Sequence, residues 1–247
     1  MKNAVTAILY APGTNCHEET AAAMARAGGK SEVVLTRDLL DGRRKLDDYQ
    51  AAIVPGGFCY GDHLGAGRIL GTLMAAQLHE QLEGFLEARK PMLGICNGFQ
   101  VLAEAGILPG RTPGKRRMAL LENQSAQFED RKIRLLVSPE KSLWTDGIEG
   151  EVLAMPTAHG EGRPHFCDTS GAPATRVAFR FADEAGKPAT KYPDNPNGAP
   201  ASIAGITDET GMVLGLMPHP ERAALPAHYS QDGLKILVNL VRWLQRA

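Results

Sequence analysis

The stretch Pro91-Met-Leu-Gly-Ile-Cys96-Asn-Gly-Phe-Gln100 is a short apolar run of strand type, and Val101-Leu-Ala-Glu-Ala105 continues it as a helical pattern. Cys96 therefore stands where a strand turns sharply into a helix. Gly94 and Gly98 remove the side chains that would collide across such a turn. This layout is a nucleophile elbow, with Cys96 pushed out of the sheet beside the first N–H groups of the next helix, whose positive end favours a thiolate. The Asn97 N–H is then placed to hold a developing oxyanion. A buried apolar cysteine at a strand end is the alternative, and the flanking glycines argue against it.

Outward from the elbow, the first half alternates strand and helix. Strands are expected at Val5 to Tyr10, Glu32 to Leu35 and Ala51 to Val54, with a helix from about Glu18 to Ala27 ended by Gly28-Gly29 and a long helix from about Ile69 to Arg89. Alternation of this kind builds βαβ units, a parallel sheet and helices on both faces. The fold class is α/β: one flavodoxin-like sandwich with a mostly parallel central sheet. In such sheets the site forms from loops at the carboxyl ends of strands. Three loops qualify: Pro12-Gly-Thr-Asn15, Pro55-Gly-Gly-Phe58 and the elbow. The second half supplies strands at Met118 to Glu122, Ile133 to Val137, Glu151 to Met155 and Val177 to Phe181 with little helix between, an antiparallel extension of the same domain. Asp183 to Pro200 is loop by composition, and a closing helix from about Gln231 to Gln245 should dock through Leu234, Leu237, Leu240 and Leu244.

A thiolate needs a proton shuttle, and Met217-Pro-His219-Pro-Glu221-Arg222 offers one after the apolar run Met212 to Leu216. Residues before proline are driven into the extended region, so this segment should be an extended arm on which His219 and Glu221, two apart, share a face. With His219 facing Cys96 and Glu221 orienting the imidazole, the set is nucleophile, base and orienter. Gly56-Gly57-Phe58 can bring a second oxyanion donor close. Tyr60-Gly-Asp62-His63 can line a pocket mouth, or Asp62 can cap the next segment. His159-Gly-Glu161 repeats the His and Glu spacing without the stiffening proline; its glycines suggest a mobile or close-approach loop with an interface or lid role. Cys16, Cys59 and Cys167 lack a comparable setting and are taken as structural or incidental.

The 247 residues carry 27 basic and 28 acidic side chains, a formal net charge of −1, so nothing pulls the chain toward nucleic acid or an anionic membrane. Four scattered cysteines without a Cys-x-x-Cys pair suggest neither a zinc site nor a disulfide framework. No stretch approaches the ~20 apolar residues of a membrane span. A reducing cytoplasm is the expected compartment.

Gly94 to Gln100 together with the distant His219-Pro-Glu221 resembles the class I, triad-type glutamine amidotransferases, over a single domain, 1–247. Pro12 to Cys16, Gly56 to Asp62, Gly94 to Gly110, Ala158 to Gly162, Asn195 to Gly198 and Met217 to Ala223 are similar, in order, to the glutaminase subunits of phosphoribosylformylglycinamidine synthases. His17 stands where that family usually has Asp, Cys59 where Ser is common, and Gly65 where Arg is usual. The resemblance implies that Cys96 attacks the glutamine amide to give a γ-glutamyl thioester, that His219 protonates the departing ammonia and then activates water, and that Glu221 orients His219. It implies oxyanion and substrate contacts from Gly57, Phe58, Asn97 and Gln100, no metal or cofactor in this chain, and ammonia channelled to a large synthetase subunit that uses ATP and Mg, with or without a small bridging subunit. An amidotransferase serving another synthetase, a DJ-1-like cysteine hydrolase and a regulatory binding module are the alternatives.

Overall fold

The computed structural model describes residues 4–167 and 176–246. Strands β1 (Val5–Tyr10), β2 (Lys30–Leu35), β3 (Ala51–Val54) and β4 (Met92–Ile95) alternate with helices α1 (His17–Arg26), α2 (Thr36–Leu40), α3 (Arg68–Gln77), α4 (His79–Glu87) and α5 (Asn97–Glu104). Then follow β5 (Met118–Glu122), β6 (Glu129–Val137), β7 (Val152–His159), β8 (Glu161–Phe166), β9 (Arg176–Ala182), β10 (Ile203–Thr207), β11 (Val213–Leu216) and α6 (Gly233–Arg246). The central sheet has nine strands in the order β2-β1-β3-β4-β11-β10-β9-β6-β7. The first five run parallel, and the pairings from β11 through β10, β9 and β6 to β7 are antiparallel. β5 and β8 form a separate antiparallel pair. The α/β class and the antiparallel extension expected from the sequence are both present.

β3, β4 and β11 are buried along their whole length, as strands covered on both faces must be. From β1 the chain steps to β2 on one side, then to β3 and β4 on the other. Because such crossovers are right-handed, these opposite steps put α1 on one face and α3 with α4 on the other. α6 packs with α1, and α5 packs with α3. The order reverses between β1 and β3, the switch point where ligands bind in open α/β sheets. Both glycine-bearing loops, after β1 and after β3, open there.

One expectation changes, and α2, β8 and β10 are elements that the sequence reading did not include. The single helix over 69–89 is α3 and α4, broken at Leu78, whose backbone leaves the helical region (φ −111°, ψ 17°). Leu78 is itself buried, so the apolar stripe continues through the break and conceals it. β10, which has no expectation from sequence, lies between β11 and β9 and joins the parallel half to the antiparallel half. Among the described residues no helix is long and apolar enough to cross a membrane.

Candidate active site

Cys96 sits at φ 50°, ψ −106° between β4 and α5, a conformation that costs a non-glycine residue about 1–3 kcal/mol and persists only when its surroundings dictate it. Here they do. The Cys96 N–H donates to Leu216 O (2.7 Å), while its carbonyl accepts from the N–H groups of Phe99 (2.9 Å) and Gln100 (3.2 Å). A Cβ on Gly98 would lie 1.8 Å from Val54 O, and one on Gly94 would lie 2.6 Å from Gly98 O. Both glycines are demanded by close backbone approach, as the elbow requires. The Phe99 ring covers Gly215 of β11, where a Cβ would meet it at 2.1 Å, so the elbow helix is seated on the strand that delivers His219.

His219 is extended (φ −103°, ψ 91°), but Pro220–Ala223 is a 3₁₀ turn headed by Pro220. The extended arm thus ends at His219, and the turn rather than strand alternation swings Glu221 back to it. The result is a buried pair, His219 Nδ1 to Glu221 Oε1 at 2.6 Å, with His219 2% and Glu221 0% exposed. Burial opposes a charge on the imidazole; the attraction of Glu221 and then of Cys96 exceeds it and holds the His219 pKa well above its ordinary value. With Nδ1 on the carboxylate, Nε2 has no hydrogen-bond partner among the described residues, and the imidazolium has one N–H left to give.

β7 brings the two distant stretches together. It pairs only with β6 in its sheet, and its other edge accepts the His219 N–H at Pro156 O (2.8 Å) and the Cys96 thiol at Ala158 O (3.3 Å). Residues two apart on a strand present carbonyls to one side, so a single edge holds both the Cys96 thiol and the His219 backbone. Pro156 lacks an N–H, which suits an edge position.

Cys96 opens into a cavity of about 160 Å³ lined by Gly57, Phe58, Asp62, Gln100, His159 and Glu161 among others. That is below the ~300–1,000 Å³ of sites for drug-sized ligands and sizes the site for a small molecule. The side chain of Asn97 ties elbow to loop: Oδ1 accepts the Cys59 N–H (3.0 Å), and Nδ2 donates to Asp62 (3.0 Å) and to Gln100 Oε1 (2.9 Å). Gln100 Nε2 donates to the carbonyl of Glu161, so both ends of that amide are engaged while it lines the cavity. Gly57, at φ 147° with Asn15 N 2.8 Å from any Cβ, is restricted to glycine. Phe58 gives its N–H to Gly13 O (3.0 Å), so what it offers is its half-exposed ring, paired with Phe128 at 6.3 Å between centroids. Asp62 accepts from Asn97 and from the Gly67 N–H ahead of α3 (3.2 Å). It thus both lines the pocket and serves the next helix. Burial raises the pKa of Asp62 and of Glu161.

His159 and Glu161 flank the corner at Gly160 between β7 and β8 rather than a free loop. His159 is 2% exposed, and burial, then the charge of His219, pushes its pKa down to about 3. Asn123 Nδ2 donates to the carbonyls of His159 (2.7 Å) and Gln127 (2.9 Å), so its Oδ1 faces His159 Nδ1 (3.0 Å). That nitrogen carries the ring proton. Nε2 is left a bare acceptor without a partner among the described residues.

The CobB/CobQ-like glutamine amidotransferase domain matches residues 3–243. The chain belongs to that family. Phosphoribosylformylglycinamidine synthase subunit PurQ of Dehalococcoides mccartyi is 39% identical over 261 residues, covering all of both chains. The subunit of that name from Pyrococcus furiosus is 40% identical over 97% of this chain and 98% of its own. A chain in the structure of PurLQS from Thermotoga maritima superposes with a TM-score of 0.79 at 33% identity, over 98% of this chain and 99% of that one.

One residue of this amidotransferase that sequence reasoning set aside lies against His219. Cys16, 1% exposed, accepts from Arg222 Nη2 (3.2 Å), and Arg222 is held in turn by Glu19 (2.8 Å). Its thiol acts on the His219 ring. Burial raises the Cys16 pKa against the lowering influence of His219. The available signal was positional: Cys16 follows the Pro12 to Asn15 loop at the carboxyl end of β1, beside the switch point.

Proposed function

We propose that this chain is the glutaminase subunit of a phosphoribosylformylglycinamidine synthase, a class I amidotransferase domain over 1–247 that hydrolyses glutamine and passes ammonia to an ATP-dependent synthetase subunit in purine biosynthesis. The observation that carries the reading is the strained Cys96 in the wall of a small pocket, held on the same strand edge as the buried His219–Glu221 pair. Full-length similarity to PurQ subunits supports the choice of pathway.

Cys96 sulfur attacks the carboxamide carbon of glutamine. The charge that develops on oxygen meets the N–H groups of Gly57 and Asn97, the latter first in its helix and so without a carbonyl four residues back. His219 gives its Nε2 proton to the departing nitrogen, leaving a γ-glutamyl thioester, and then takes a proton from water as it attacks. Glu221 fixes the ring throughout. Gln100, Asp62 and Glu161 line the substrate's space, the carboxylates suiting an α-ammonium group, and His159 lines it as a neutral ring. The Phe58–Phe128 pair narrows the mouth against water. Ammonia that reached solvent would be protonated and lost as a nucleophile, so the synthetase subunit, which handles ATP and Mg, must seal against the site.

Ammonia release from glutamine, measured with and without the synthetase subunit and nucleotide, tests this. Cys96→Ala is expected to abolish glutamine-dependent synthesis by the complex while added ammonia still supports it. Loss of both activities would contradict the division of labour.

A further inference from the structure

Cys16 has no part in the reaction proposed above, yet it converges on two of that reaction's residues. Its Sγ, a ring nitrogen of His219 and a carboxylate oxygen of Glu221 lie within 4.8 Å of one another, and all three residues are buried. A methyl group on Gly56 would lie 3.2 Å from Cys16 Sγ and 3.4 Å from His219 Nδ1. Gly56 is thus a shared neighbour of the sulfur and of the Cε1–Nδ1 edge of the ring, whose Nδ1 is held by Glu221. Glu221 Oε2 has no hydrogen-bond partner among the described residues, in a residue 0% exposed. A buried, unbonded carboxylate oxygen is costly, and a cation would satisfy it.

We infer that Cys16 Sγ, His219 Nδ1 and Glu221 form a site for a thiophilic divalent cation of the zinc class, and that filling it shuts off the amidotransferase by removing its base. One thiolate, one imidazole and one carboxylate are a zinc donor set. Zinc bonds of ~2.0–2.3 Å put tetrahedral ligand atoms about 3.3–3.8 Å apart, so closing the site asks for side-chain shifts on the order of 1 Å. Ligation forms one S–Zn, one N–Zn and one O–Zn bond, releases the Cys16 thiol proton and the His219 Nδ1 proton to solvent, and oxidises nothing. Two anionic ligands neutralise the ion, while the Arg222 N–H can remain on the Cys16 sulfur as an outer-sphere donor. The imidazole, bonded to metal and parted from its carboxylate, can no longer shuttle protons for Cys96. That inhibitory consequence rests on the proposed triad; the binding site itself does not.

The test uses the full chain carrying Cys96→Ala, which removes the other thiol near His219. Titration with cobalt(II) is expected to give a near-ultraviolet thiolate-to-metal charge-transfer band saturating at about one ion per chain, displaced by zinc. Adding Cys16→Ser, close in shape to the native residue, should abolish the band, with circular dichroism and thermal unfolding in the absence of metal showing an intact fold. No band in Cys96→Ala, or a band that survives Cys16→Ser, overturns the site. Should Cys16→Ser not fold, protection of Cys16 from alkylation by zinc in the Cys96→Ala chain reads the same bond, and alkylation indifferent to zinc overturns it. Because Cys96→Ala hydrolyses nothing, a failure here is separate from a failure of the glutaminase reading, which shows in ammonia release by the unaltered chain.

Discussion

Gly56→Ala should slow glutamine hydrolysis about tenfold to a hundredfold while leaving the chain folded. Gly56 does not adopt a left-handed φ, so its backbone accepts alanine, and the whole effect falls on what the methyl meets. It would lie 2.8 Å from His219 Cε1 and 3.2 Å from Cys16 Sγ, against an ordinary carbon contact of ~3.5–4.0 Å. The ring must therefore retreat by about 0.7 Å. It has little room to do so, since Glu221 grips Nδ1 at 2.6 Å and Pro156 O grips the His219 N–H at 2.8 Å. A 1 Å displacement of a catalytic group can cost ~10²-fold, which sets the upper end of the loss, and overpacking a core costs typically ~1–3 kcal/mol. Steady-state glutamate formation, with synthetase subunit and nucleotide present, reads the first quantity and thermal unfolding the second. A kcat within twofold of the unaltered chain would refute the claim that His219 is held in place by the packing around Gly56.

Gly84→Ala is the matched control: Gly84 is exposed inside α4 with nothing within 4 Å of a Cβ, so the same exchange should stabilise by ~1 kcal/mol and raise Tm by roughly 2–4 °C, and a lower Tm would contradict it. Glu221→Gln keeps shape but removes the charge opposite His219 Nδ1; since the equivalent exchange in a serine triad costs ~10⁴ in kcat, a loss smaller than about tenfold would remove Glu221 from the orienting role. His159 should impose an acid limit on stability. Its folded pKa of about 3 lies below the ~6.5 of an unfolded histidine, so the unfolded chain binds more protons between those values, and its contribution, complete above pH ~6.5, falls by up to ~1.4 kcal/mol per unit as pH drops. Denaturant unfolding of His159→Asn at a series of pH values should show a shallower slope than the parent; equal slopes refute it. His219 acts in the opposite sense, because its raised pKa contributes stability below pH ~6.5 that is lost as pH climbs through the folded value.

What the sequence made legible was local. Gly94 and Gly98 announce the elbow because a strand turning into a helix needs bare backbone within a few residues, and Met217-Pro-His219-Pro restricts its own dihedrals wherever the rest of the chain goes. The switch-point loops follow from strand order in the parallel half, which βαβ alternation nearly dictates. What was hidden depends on partners far along the chain. Only its place after the switch-point loop distinguishes Cys16 from a packing residue, and its meaning comes from Arg222 and His219, some two hundred positions away. The Phe58 N–H looks free for an oxyanion until Gly13 takes it. His159 could have been anticipated in part: Leu153, Met155, Thr157 and His159 are the alternate, buried positions of β7, and a polar residue closing such a row calls for a partner or a ligand. That row points to the least visible step, which is the placing of β7 itself. An antiparallel strand with one paired edge is an aggregation hazard unless something covers the other, and here the cover is the Asp232 carboxylate on the Ala154 N–H, the His219 backbone and the Cys96 thiol. The same hydrogen bonds that protect the last strand of the sheet set Cys96 and His219, the proposed nucleophile and base, side by side. A substitution that broke the β6–β7 register, such as a proline at Met155 in mid-pairing with Ile133, should therefore disable Cys96 chemistry without touching a residue of the proposed triad, whereas undiminished glutamine hydrolysis in a folded Met155→Pro chain would show that the elbow and the His219 arm hold their geometry without that edge.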